Sequence, residues 1–99
     1  MYPPRTNVVN IHKTPYDVYI GRAGHGQDGY FGNPYKLYDE SRRLEVALSY
    51  EEWFRFRLHI DPTFRQRVHA LKGKTLGCFC KPQICHGDVI ADYLNWEVR

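Results

Sequence analysis

The stretch from Thr75 to Trp96 constrains the fold of this chain more than any other. Thr75 to Cys80 is a short apolar run with the length of a buried strand, and Val89, Ile90, Tyr93 and Leu94 then recur on one face of a helix from about Gly87 to Trp96. The loop Lys81-Pro82-Gln83-Ile84 leads from the one to the other, with Pro82 helping to turn the chain. Every cysteine of the chain falls in or beside this junction: Cys78, Cys80 and Cys85.

Upstream, Val8 to His12 reads as a strand of β-branched residues between polar ones, ended by Thr14-Pro15. Tyr16 to Ile20 reads as a second strand, paired with the first as a hairpin or as its neighbour. Ser41 is the expected N-cap of a long helix to about His59, with Leu44, Ala47, Leu48, Trp53, Phe54 and Leu58 at helical spacing. Asp61-Pro62 matches an N-cap followed by proline at the first helical position, which predicts a shorter helix over Thr63 to Leu71 ended by Gly73. The order is β-β-α-α-β-α, and the expected class is α/β or α+β with a three-stranded sheet and packed helices.

A chain of 99 residues, 42% apolar and 15% aromatic, is expected to form one domain with a modest core. Its net charge of +3 favours anionic partners only mildly and falls far short of the basic stripe of a dedicated DNA binder. Arg42, Arg43, Arg55, Arg57, Arg65 and Arg67 are expected on the solvated faces of the helices. No apolar run approaches a membrane span, and Met1 to Arg5 lacks the apolar region of a secretory signal, so a cytoplasmic protein without a membrane partner is expected. An odd number of cysteines within eight residues suits metal binding or thiol chemistry better than a secreted disulfide framework.

Three chemistries fit the junction. Cys78, Cys80, Cys85 and His86 make up the Cys3His set of a closed zinc site, although C-x-C-x4-C-H departs from the usual knuckle spacing and neighbouring Cys85 and His86 reach one ion with difficulty. Alternatively Cys85 or His86 is reactive, because a helix N-terminus lowers a thiol pKa and Asp88 can orient the imidazole. The plainest account makes Cys78 and Cys80 small core residues of the strand, with Asp88 or His86 capping the last helix.

Between Gly21 and Pro34 five glycines predict an irregular loop. Gly24 to Gly29 spells G-x-G-x-x-G after a strand, but Tyr30-Phe31-Gly32-Asn33-Pro34 follows where a dinucleotide fingerprint needs a helix. Gly21-Arg22 and Gly32-Asn33 are the candidate substrate-binding residues here, with Arg22 placed to grip a carboxylate or phosphate. The alternative is a solvated arginine and an ordinary turn.

Val18-Tyr19-Ile20-Gly21-Arg22, Gly32-Asn33-Pro34 and the run from Gly77 to Val89 together resemble a family of small domains from bacteriophages and bacteria, with G-C-x-C-x-P-x-x-C-H-G-D-V as its closing signature. The resemblance spans nearly the whole chain. It implies a common fold unit and a site at that signature, and a phage setting would place the protein in the host cytoplasm. Two functions are expected on these grounds. One is a small domain acting on or binding a nucleotide or nucleic-acid component, with Cys85, His86 and Asp88 as the reactive group and Arg22, Asn33, Gly21 and Gly32 on the substrate. The other is a non-catalytic module, zinc-stabilised or simply packed, that engages nucleic acid or a host protein.

Overall fold

The fold grows from one strand. In a computed structural model, which describes residues 5–24, 26–35, 38–81 and 83–96, β3 (Thr75–Cys78) lies at the centre of a three-stranded sheet of order β1-β3-β2. β1 (Asn7–Asn10) and β2 (Val18–Tyr19) both run parallel to it, in registers that set Val9 and Tyr19 against Gly77. His25 and Pro82 lie outside the described residues.

The first two strands are therefore neither a hairpin nor neighbours, which corrects the sequence expectation. Residues 11–17 carry the chain from the end of β1 back to the start of β2 across one face of β3. Ile11 N–H donates to Cys78 O at 3.1 Å, and Asp17 and Thr75 exchange two bonds of 2.8 Å. Gly77 makes this crossing feasible: a Cβ there would sit 2.7 Å from both Ile11 Cγ2 and Tyr16 Cγ.

The opposite face of the sheet carries the core. Because side chains alternate along a strand, Leu76 and Cys78 share one face, and both are fully buried there with Val8, Val18 and Ile20 packed in the same cluster. A single 3-10 turn, Glu40–Arg42, leads into α1 (Arg43–Ile60); α2 spans Pro62–His69 and α3 spans His86–Trp96. Helix α3 packs on that face of the sheet, and α1 packs in turn against α3 and α2. The arrangement is α+β, in the order the sequence predicts.

Local chemistry accounts for the helix ends. Asp39, rather than Ser41, supplies the cap before α1, its carboxylate accepting from Ser41 N–H at 3.0 Å. Asp61 caps α2 through Phe64 N–H at 3.0 Å, with Pro62 in the first turn. After α2 the chain turns at Gly73, whose φ of 79° is left-handed and whose N–H donates to Thr6 Oγ1 at 2.8 Å.

Aromatic side chains fill the space between helices and sheet. Tyr50 and Phe54 of α1 stack on each other, and Phe64 of α2 meets Phe54 and Trp53 edge-on. Arg57 and Arg67 are not simply solvated, as the sequence suggested. Arg57 lies 4.2 Å over the Phe64 ring and Arg67 3.5 Å over the Tyr30 ring, which ties the glycine loop to α2. No helix is long and apolar enough to cross a membrane among the described residues.

Candidate functional site

All three parallel strands end at one edge of the sheet, and the glycine loop after β2 and the cysteine junction after β3 leave them there. Open sheets of parallel strands place ligands outside their carboxyl ends, where the loops diverge. A cavity of about 300 Å3 opens at this edge. The glycine loop contributes Gly21, Arg22, Asn33 and Tyr35; the first turns of α1 contribute Arg43, Val46 and Ala47. The junction supplies Cys78, Phe79, Cys80, Ile84, Cys85 and His86. Arg22 and Asn33 thus face the junction across one space, as the sequence reading requires. Gly32 and Asp88 stand behind the walls.

The sulfurs converge at the cavity floor. Cys78 Sγ lies 3.2 Å from Cys85 Sγ, both buried, while β3 stops at Cys78 and the chain turns so that Cys80 is only half-buried. Hydrogen bonds from the Cys78 and Cys85 thiols, with help from the Arg43 guanidinium, hold the Cys80 thiol well below the usual thiol range. Cys85 moves the opposite way: its bonds to the other two sulfurs, then burial, push it up. The three thiols thus act on one another, with Cys80 drawn toward the charged form and Cys85 away from it.

His86 is committed to the fold. Its Nε2 lies 2.6 Å from Ile20 O, and since a carbonyl only accepts, that nitrogen carries the proton. The ring meets Tyr50 edge-on at 5.1 Å, and burial lowers its pKa. The imidazole pins the end of β2 to the start of α3, and Gly87 lets the two close: a Cβ on it would sit 2.6 Å from Ile20 Cδ1.

Asp88 does not orient the imidazole. Its Oδ2 accepts from Cys85 N–H at 3.1 Å, reaching back across the first turn of α3 as in one half of a capping box, and its Oδ1 pairs with Lys81 Nζ at 2.7 Å. Both oxygens are thus spent on shaping the junction.

Among the described residues no group of three or more His, Cys, Asp or Glu side chains is arranged to hold a metal ion. Cys78 and Cys85 meet each other, and His86 Nε2 is engaged with Ile20 O.

Several wall residues escape sequence reasoning. Arg43 carries a side chain only 18% exposed; it is held by Glu40 at 2.7 Å and reaches Ile84 O at 3.2 Å, bridging α1 to the junction. The signal for it lies in topology: a helix that follows a parallel strand begins at the sheet's carboxyl edge, so its first turn borders any ligand there. Asn10, outside the cavity lining, supports the junction from β1, its Nδ2 donating to Lys81 O at 2.8 Å. Tyr35 and Phe79 complete the rim with rings 41% and 51% exposed, Phe79 resting against Tyr19 and His12.

Arg22 and Asn33 hold their loop as well as face the cavity. Arg22 Nη2 donates to Tyr35 O at 3.3 Å, and Asn33 Oδ1 accepts from Tyr35 N–H at 2.8 Å. Among the described residues these are the hydrogen bonds that the Arg22 guanidinium and the Asn33 side chain make.

Comparison with known proteins returns the same extent. The chain is 34% identical over 88 residues, 89% of its own length and 76% of the relative's, to a protein of Enterobacteria phage T4 described as an uncharacterized 12.4 kDa protein in the nrdA-td intergenic region. No solved structure matches it. The model of one family, described as a domain of unknown function, DUF4326, matches residues 5–96, so all three strands, the glycine loop and the cysteine junction fall within it, and the chain belongs to that family.

Proposed function

We propose that the cavity at the sheet edge binds a nucleotide or nucleic-acid component, with a planar ring between Tyr35 and Phe79 and a phosphate on Arg22. The observation that carries this reading is the pairing of the Arg22 guanidinium with two half-exposed rings around a single cavity. Rings of this kind stack on bases, and Arg matches phosphate with a planar fork. The volume of about 300 Å3 stands at the small end of ligand pockets, which suits a mononucleotide or one flipped-out nucleotide better than a folded nucleic acid.

Arg43 contributes less charge, because Glu40 and Cys80 already lean on it. Asn33 offers an amide donor to a base edge. His86 and Asp88 serve as positioning residues that keep the junction in shape, and the Cys80 sulfur faces the ligand space.

Isothermal titration with a panel of nucleoside 5′-monophosphates, the parent nucleosides and inorganic phosphate tests the proposal. Monophosphates are expected to bind more tightly than either part alone, and Arg22→Ala to weaken them by about tenfold, the ~1.4 kcal/mol scale of a charge-assisted bond. Equal affinity of wild type and R22A, or no binding of any nucleotide, would count against it.

A further inference from the structure

The three cysteines are all free, and all three border the same cavity. Cys78 Sγ and Cys85 Sγ stand 3.2 Å apart, so about 1 Å of further approach brings them near the ~2.05 Å of a disulfide bond. Cys80 is the most exposed of the three and lines the cavity together with Arg43. An attacking sulfur, two sulfurs able to resolve it and a cation beside it therefore share one small space.

We propose that this cluster is a thiol redox site whose substrate is a small hydroperoxide, with Cys80 as the attacking sulfur and Cys78–Cys85 as the pair left bridged. The inference does not rest on the cavity binding a nucleotide. The shift of Cys80 toward thiolate supports it, and so does burial of the other two sulfurs, which leaves Cys80 the most open of the three.

The steps balance. Cys80 thiolate attacks the terminal peroxide oxygen; an S–O bond forms, the O–O bond breaks, and the departing hydroxide or alkoxide takes a proton from solvent, leaving Cys80 as sulfenic acid. The Arg43 guanidinium stabilises the negative charge that develops on the leaving oxygen. Cys85 then attacks the sulfenic sulfur, a Cys80–Cys85 disulfide forms, and water leaves with the sulfenic hydroxyl and the thiol proton. Cys78, having lost its proton to solvent, attacks the adjacent Cys85 sulfur and releases Cys80 as thiolate. Two thiols have lost two electrons and two protons, and the peroxide has become water and a second water or an alcohol. An external dithiol reverses the change.

The experiment takes the full chain, reduced and weighed for zinc by elemental analysis, treats it with one equivalent of hydrogen peroxide and maps its thiols by mass spectrometry. Two thiols per chain are expected to disappear into a Cys78–Cys85 bridge, at least about tenfold faster than free cysteine reacts. The double variant Cys78→Ser/Cys85→Ser is expected to stop at a Cys80 sulfenic acid that dimedone traps, and Cys80→Ser to slow bridge formation. Circular dichroism of each variant shows that it folds, and the wild-type map needs no variant. Oxidation no faster than free cysteine, a wild-type sulfenic acid that never resolves, or one tightly held zinc per chain that shields the thiols would each overturn the proposal.

Discussion

His86 links the site to the stability of the whole chain. Burial lowers its pKa below the ordinary 6.5, so the unfolded chain binds a proton that the folded chain resists. Stability from this group is therefore complete above about pH 6.5 and declines as pH falls toward the folded pKa. Urea unfolding between pH 5 and 8 is expected to show that decline, and His86→Gln, which keeps a donor for Ile20 O and does not titrate, to lose that part of it. An unchanged slope in the variant would show that other groups set the acid limit. At this scale the sequence exposes the junction well, because cysteines, histidine and aspartate cluster within a few positions. It hides the division of labour. Nothing local reveals that Cys80 leaves the strand yet borders the same cavity as the other two cysteines, that Asp88 reaches back to Cys85 N–H, or that Arg43 arrives from another element.

The elements themselves are legible from periodicity and caps: Asp61-Pro62 opens α2, and the apolar spacing marks α1 and α3 to within a few residues. Their pairing is not. Insertion of β3 between β1 and β2 joins Asn7 to Thr75 and Val18 to Leu76, contacts more than fifty positions apart that no local pattern encodes. One residue does report it. Gly77 interrupts a buried strand at the point where residues 11–17 cross it, and glycine within a strand often marks the close approach of another backbone. Gly77→Ala is expected to lower stability by about 1–3 kcal/mol, the usual cost of overpacking, since its Cβ would meet Ile11 and Tyr16 at 2.7 Å. Chemical denaturation measures it; an unchanged midpoint would mean that the crossing segment can lift away freely.

At the scale of the molecule, the described ends of the chain are clasped to each other. Thr6 N–H donates to Asn95 Oδ1 at 2.8 Å and Asn95 Nδ2 to Thr6 O at 2.9 Å, both buried, while Thr6 Oγ1 accepts from Gly73. Asn95→Ala leaves buried backbone groups unpaired, and a loss of about 1–3 kcal/mol is expected in the same assay. This clasp holds α3 along the sheet, and through α3 it fixes the junction at the carboxyl edge where the glycine loop faces it.

That facing pair of loops is the centre of the functional account, and amide chemical-shift mapping tests it most directly. Titration of the isotopically labelled chain with a nucleoside 5′-monophosphate is expected to give saturable shifts concentrated at Gly21, Arg22, Asn33, Phe79 and Cys80. Shifts that never saturate, or that cluster on the groove between α1 and α3 near Arg55 and Asp92 instead, would contradict it.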